Sequence, residues 1–486
     1  MLKIRMSSPR LQAQTPRPGS RVAIIGGGYT GAIVAKLLVE RGVRDIEEVT
    51  VFEPREQLGC GLAYNVNNID VRLNVAAHRM RAIPGSPTAF LDWLQTSGTL
   101  TVDPDAVTPE GIFARRHDFG RFTQAQLAPH LDSGAVRHIR DVVRVVEREN
   151  EQWRIRGADG TIVLADILIL ATGHPPASRP ALFDNLDPLT ASRVADVFAP
   201  NAFDGIEKSD PILIVGSGLT ALDALSRLDA LDHDGEVTLL SRSGLIPRPH
   251  AGGGFSPFGD YRSVELTSAR KLLAKVRATV ADAQAQGIPW QSVFDALRQH
   301  AQELWQGLPM PERQKFLRRL RRWYDVHRYR MPPQASLALE KGLDTGRVAV
   351  ERGDLAAITR DGNDLLAGIE THNGGAKVRC RRILLATGPE FRNYAAHQRF
   401  LLGMHRDGFI QSDALGLGLA CDTAGHALTV TGAPVTSLFV AGPPARPAFG
   451  ELTGVPEIAT QVADIVDRII RCCVRETRTI VINPSA

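Results

Sequence analysis

Three glycines and one acid carry the first chemistry that can be read from this chain. Gly26, Gly28 and Gly31 follow the apolar run Val22-Ala23-Ile24-Ile25. Glu53 closes the next apolar run, about twenty residues past Gly31. This spacing suits a pyrophosphate-bridged dinucleotide. Gly26 permits a tight turn, Gly28 lets a phosphate approach the backbone, and Gly31 lets the next helix pack on the strand. The helix N-terminus adds free N–H groups and partial positive charge, and Glu53 can accept hydrogen bonds from a ribose. Just beyond it, Gly59 and Gly61 make a second flexible turn that can lie against a ribityl chain or an isoalloxazine ring.

A second set lies in mid-chain. Pro211 to Val215 runs into Gly216-Ser217-Gly218-Leu219-Thr220-Ala221, a GxGxxA variant in which Gly216, Gly218 and Thr220 address a second dinucleotide. The strand that follows ends in Ser241-Arg242 where an acid would favour NAD. Arg242 can hold a 2′-phosphate, which favours NADPH over NADH. Two other apolar runs end in the same three small residues, Ala171-Thr172-Gly173 and Ala386-Thr387-Gly388. Such endings suit buried strands that something approaches closely, so two nucleotide sites are expected. A last run ends in Ala441-Gly442-Pro443. Thr453 or Gly454 then caps a helix to about Cys473, whose N-terminus favours negative charge on a reduced flavin.

Other polar residues are open to two readings. Asn74, between Leu73 and Val75, is either a turn asparagine or a hydrogen-bonding group at the flavin edge. His78 and Arg79 are either solvated loop residues or part of the catalytic set, and His250 and Arg328 are candidate substrate contacts. The segment from Phe113 to Phe122 interleaves arginines with aromatics and reads as a lid or a domain interface.

These residues need strands and helices to position them. The expected class is α/β with two Rossmann-like domains, the NAD(P) domain inserted in the FAD domain, and an added helical insert. Residues 1–20 form a disordered leader, 21–175 the first part of the FAD domain and 176–210 a linker. The NAD(P) domain starts at 211–262, its helical insert covers 263–345, 346–475 completes the FAD domain, and 476–486 is a tail. Within the insert, apolar positions recur at three- and four-residue spacing over Arg270–Ala285 and Trp290–Trp305. Glu312–Arg330 is rich in arginine and reads as a solvated face with a few arginines over phosphates or an anionic substrate.

The 486 residues carry a net charge of only +4, which gives no reason to expect nucleic acid or a membrane as partner. Five scattered cysteines include no CxxC, so neither a metal-ligand spacing nor a dithiol pair is present, and a reducing cytoplasm is expected. No apolar run reaches the roughly 18 residues of a transmembrane helix.

Seven segments occur in order: Gly26–Gly31, Gly59-Cys60-Gly61-Leu62-Ala63-Tyr64, Leu73-Asn74-Val75, Gly216–Asp223, Ser241-Arg242-Ser243-Gly244, His327-Arg328-Tyr329-Arg330 and Val455-Pro456-Glu457-Ile458. With them the chain resembles the FAD/NAD(P)-binding family that includes FAD-dependent urate hydroxylase and an aspartate N-monooxygenase. The resemblance spans about residues 20–470. It implies FAD, NAD(P)H and, in many members, a flavin hydroperoxide. Pro443 departs from the aspartate that many flavoproteins carry after their final Ala-Gly. The leading expectation is a monooxygenase that uses dioxygen to hydroxylate a small nitrogen-containing substrate such as urate. The alternatives are an amino-acid N-hydroxylase, a flavin reductase that passes electrons to a protein partner, and a non-catalytic nucleotide sensor.

Overall fold

Short runs of β-branched and leucine residues, apolar on both faces, build two largely parallel sheets, each with helices on one face and a three-stranded antiparallel sheet, within residues 143–165 or 354–380, on the other. The computed structural model describes residues 19–42, 45–64, 71–262, 267–371 and 374–477. Most of the expected leader, and the tail from residue 478, lie outside the described residues. Ser20 already belongs to the first strand.

The first sheet orders its strands His426–Leu428, Pro434–Val440, Ile167–Leu170, Ser20–Ile25, Ile46–Phe52 and Val136–Ile139. All neighbours are parallel except the first pair. The second sheet orders Val194–Asp196, Arg382–Leu385, Ile212–Val215, Val237–Ser241 and Val348–Arg352, all parallel. In each sheet the strand before the glycine turn is central, with the next strand on one side and the Ala-Thr-Gly strand on the other. That is a topological switch point, where such sheets leave a ligand crevice.

The second sheet corrects two expected boundaries. The stretch expected as a linker supplies its edge strand, Val194–Asp196. The strand that ends at Leu385, expected to return to the first domain, pairs with Ile212–Val215 instead. The inserted domain therefore runs through that strand, and the first sheet is completed only by residues 426–440. The cause is symmetry: each glycine turn needs a strand with a small-residue end beside it.

The helical insert is also more divided than expected. Helices Ala269–Ala285, Trp290–Gln299, Ala301–Gly307 and Arg321–Arg328 share a small core with Tyr261, and Met310–Arg319 adds Phe316 against Tyr324. The next helix, Pro333–Asp344, packs its Ala335 and Leu339 into the second sheet's core instead. The insert leans on the first domain. Trp305 Nε1 donates to Pro447 O at 2.8 Å, and a Cβ on Gly450 would lie 2.5 Å from the Trp305 ring.

The Phe113–Phe122 segment sits at the domain boundary. Phe113, Phe119 and Phe122 are fully buried, while Arg116 reaches across to Asp223 of the helix Leu219–Ala230 at 2.7 Å. Burial pushes the Asp223 carboxyl up to about 6 even with Arg116 beside it. Arg116→Ala should cost about 3 kcal/mol at pH 7.5, because it leaves a buried charge without its partner. The loss should shrink at pH 5, where Asp223 takes a proton. Urea denaturation of the single variant and of Arg116→Ala/Asp223→Ala, which should lose less, checks this.

Candidate functional site

The two glycine turns are built alike, bond for bond. Gly26 donates to Phe52 O at 2.9 Å, and Gly216 donates to Leu240 O at 2.8 Å. Ala171 donates to Ile25 O and Ala386 to Val215 O, each at 2.9 Å. Both glycines have positive φ, +104° and +134°, and a Cβ on either would lie 2.3 Å from the carbonyl oxygen of its facing alanine, Ala171 or Ala386. The repeated Ala-Thr-Gly endings thus face the repeated glycines. The copies differ at the third position. A Cβ on Gly31 would lie 1.9 Å from Gly26 O, whereas Ala221 fits in the second turn.

Each turn leads into a helix with an open N-terminus. Tyr29–Arg41 and Leu219–Ala230 begin at Gly28 and Gly218, with no side-chain cap and no acid in the first turn. Their first N–H groups are left for an anion. In the first site Gly59 donates to Gly27 O at 2.7 Å, which ties the second flexible turn to the first. A Cβ on Gly28 would lie 3.3 Å from the Cα of Gly61, so two bare backbones face each other there. Glu53 is buried. One of its carboxylate oxygens accepts from Gly27 N–H at 3.0 Å and the other from Arg55. The acid thus shapes the turn as well as ending the strand. In the second site Arg242 is exposed at the end of Val237–Ser241, and Thr220 lies in the first turn of its helix.

Other expected residues gather around these turns. Gly442 packs on Thr30 of the first helix and donates to Gln461 of the last helix at 2.8 Å. Tyr29 Oη lies 3.5 Å from Val455 O, so the first helix and the last helix, Val455–Thr477, begin side by side. Thr453, just before that helix, meets Tyr329 Oη at 3.0 Å. Thr172 and Gly173 both bond Tyr394 Oη, at 2.8 and 2.7 Å. Gly388 accepts from Ser178 N at 2.8 Å, where the two crossings between the domains run as an antiparallel pair. His174 stands against Phe391 at this crossing, and the surrounding protein together with the Arg446 charge lowers its pKa.

The polar residues divide. His250 Nε2 meets Asn74 O at 3.0 Å, and its ring packs on Phe113, so a loop of the second domain touches the Asn74 turn of the first. The Asn74 amide itself has no hydrogen-bond partner among the described residues. His78 is exposed, and burial of part of its ring and Arg79 lower its pKa. Arg79 binds Asp295 at 2.6 Å, and Arg330 binds the other oxygen of the same carboxylate.

Arg328 corrects its expected role as a substrate contact. It is buried, paired with Glu451 and 3.5 Å from Glu457, and Arg298 also holds Glu457, at 2.5 and 3.0 Å. The arginines of this stretch thus include a buried brace as well as a solvated face. Tyr394, Asp295, Glu451 and Arg446 were not anticipated. Arg330 alone had a signal, because it closes the His327–Arg330 motif.

Residues 23–175 match the model of a family described as FAD-NAD(P)-binding. Solved structures share the fold over nearly the whole chain. L-lysine 6-monooxygenase from Pseudomonas syringae is 16% identical with a TM-score of 0.63, over 93% of this chain and 99% of that one. Ornithine N-hydroxylase from Kutzneria sp. 744 is 16% identical with a TM-score of 0.59, over 93% and 99%. A cadaverine monooxygenase of desferrioxamine biosynthesis from Erwinia amylovora is 15% identical with a TM-score of 0.61, over 92% and 94%. Among the described residues no helix is long and apolar enough to cross a membrane.

Burial, with Arg330 nearby, holds His250 at a pKa of about 3, far below its ordinary 6.5. A histidine kept neutral in the fold contributes stability above the unfolded pKa and loses it as pH falls through 6.5 toward 3. His250→Leu should therefore flatten the acid side of the stability profile. Between pH 6 and 4 its unfolding free energy should fall less steeply than wild type, by at most about 1.4 kcal/mol per pH unit. Urea denaturation across that range measures it.

Proposed function

We propose that the chain is an FAD- and NADPH-dependent N-hydroxylating monooxygenase that acts on an amino acid or a related small amine, with dioxygen as co-substrate. The observation that carries this is the pair of equivalent glycine cradles, in a fold whose similar structures are named for lysine, ornithine and cadaverine oxygenation. Those names favour amine oxidation over the urate reading. Scattered free cysteines fit a cytoplasmic enzyme.

The residues fit the cofactors on physical grounds. Gly26, Gly28 and Gly31 with the uncapped first helix would take the FAD pyrophosphate, and Glu53 its ribose. Gly59 and Gly61 leave bare backbone beside it, while Thr172, Gly173, Gly442 and Thr453 border the flavin half. Gly216, Gly218, Thr220 and Gly388 would hold NADPH, with Arg242 on its 2′-phosphate. FAD, when bound, supplies hydride acceptance from NADPH and two-electron reduction of dioxygen. The protein binds, orients and excludes water. His250 fixes the backbone of the Asn74 turn and leaves the Asn74 amide available at the reaction edge. His78 and Arg79 stand on the adjoining turn.

The test is an assay of purified flavin-loaded protein with NADPH, oxygen and a panel of amino acids and amines, reading hydroxylamine product against hydrogen peroxide. Hydroxylamine in step with NADPH oxidation is expected. Peroxide alone with every amine, with rapid reduction of an added electron-carrier protein, would replace this reading with a reductase. Arg242→Ala should lower kcat/KM for NADPH by about 10- to 100-fold and leave NADH nearly unchanged, because a charge-assisted contact to one phosphate is lost. Initial rates with both nucleotides check that.

A further inference from the structure

A cavity of about 510 Å³ lies between the insert helices and the loop before the last helix. Interiors pack with few voids larger than a water, and this volume falls in the range of small-molecule pockets. Its wall is mainly aliphatic and aromatic, including Leu272, Val276, Phe294, Leu297, Leu304 and Phe316. Its polar lining includes Arg277 and His327 as well as a set of paired groups. Tyr324 donates to Glu451 at 2.7 Å, Arg321 pairs with Asp325 at 3.4 Å, and Tyr329 meets Thr453 at 3.0 Å. That polar edge therefore adjoins the start of the last helix, which itself touches Tyr29 of the first glycine turn.

One group at this edge has donors to spare, although its charge already acts on the Asp325 carboxylate. Arg446 is only 9% exposed, and its Nε donates to Gly450 O at 3.1 Å. Its two terminal nitrogens have no hydrogen-bond or ion-pair partner among the described residues, and the side chain lines the cavity. Other buried arginines nearby are paired: Arg328 with Glu451, Arg330 with Asp295. A buried guanidinium with free donors calls for a carboxylate, which it can bind by two parallel hydrogen bonds.

We propose that this cavity is the substrate pocket, and that the substrate is an amino acid with a large apolar side chain, aromatic or long aliphatic. Its carboxylate sits on Arg446, its side chain fills the leucine- and phenylalanine-lined space, and its amino group is left toward Thr453. This rests on the N-hydroxylase reading and narrows it. In the reaction one N–O bond forms and the O–O bond breaks. NADPH supplies the hydride, a solvent proton completes the water that leaves, and the amine becomes a hydroxylamine.

The experiment is calorimetric binding to the flavin-loaded protein of phenylalanine, tryptophan and the series from alanine to norleucine. Lysine, ornithine, aspartate and phenethylamine serve as comparisons. Affinity should rise about three- to fourfold per added methylene. Phenethylamine, which lacks the carboxylate, should bind at least about tenfold more weakly than phenylalanine. Arg446→Met should abolish that difference, and Val276→Trp, which fills the cavity, should abolish the methylene gradient. Equal affinities across the series, or tighter binding of lysine and ornithine, would overturn the proposal even if neither variant folds. The expected binding order with no hydroxylamine from any ligand would leave the pocket standing and remove the oxygenase reading.

Discussion

Each glycine turn depends on one close approach: a carbonyl oxygen lies where a Cβ would have to be. Ala171 O faces Gly26 and Ala386 O faces Gly216 at the same distance, 2.3 Å from the ideal Cβ position. Only glycine fits there, and only at the positive φ both residues adopt. The approach draws the central strand and its neighbour together at their carboxyl ends. It also turns the chain so that the next helix starts over the crevice without a cap. The free N–H groups, the switch point and the small-residue strand ends follow from this one contact, made twice.

The two sites are joined by specific contacts. The crossings between domains pair with each other through Ser178 and Gly388, and Tyr394 clasps Thr172 and Gly173 at the end of the first Ala-Thr-Gly strand. On the far side Arg116 reaches Asp223, inside the helix that opens the second cradle. His250 closes a third contact on the Asn74 turn. Hydride transfer between two bound rings needs them near van der Waals distance, so these contacts are where domain placement becomes chemistry. These contacts are polar, so they can orient the domains without the rigidity of a large apolar interface.

Much of this could be read before any coordinates. Gly26, Gly28, Gly31 and Glu53 announce their turn because local sequence alone dictates strand, turn and helix. Gly216 and Gly218 do the same, and the apolar spacing of the insert marks its helices but not the breaks between them. The partner of each Ala-Thr-Gly ending was not legible. Strands Ile167–Leu170 and Arg382–Leu385 are equally apolar, and which sheet each joins depends on pairing with distant residues. Arg328 misled for a related reason. An arginine on an amphipathic helix reads as solvated or as an anion contact, and its burial depends on Glu451 and Glu457, more than a hundred residues away. Arg446 gave no local signal at all.

That buried cluster explains how an insert in one domain can serve a site in the other. Arg298, Arg328 and Tyr324 of the insert hold Glu457 and Glu451, which flank Thr453 at the start of the last helix. Glu457 lies in that helix's first turn, where a carboxylate is favoured by the helix dipole. Its position beside Arg298 and Arg328 holds the carboxyl below its ordinary range, against the opposing effect of burial. An apolar contact of the same size would stabilise as much or more, because desolvating paired ions costs nearly what their attraction returns. Ion pairs have fixed partners and geometry, whereas leucines can slide. Holding the insert in one register against the last helix keeps Tyr329 on Thr453, and it keeps the open donors of Arg446 on the wall of the cavity. The cluster is therefore better understood as a device for alignment than as a source of stability.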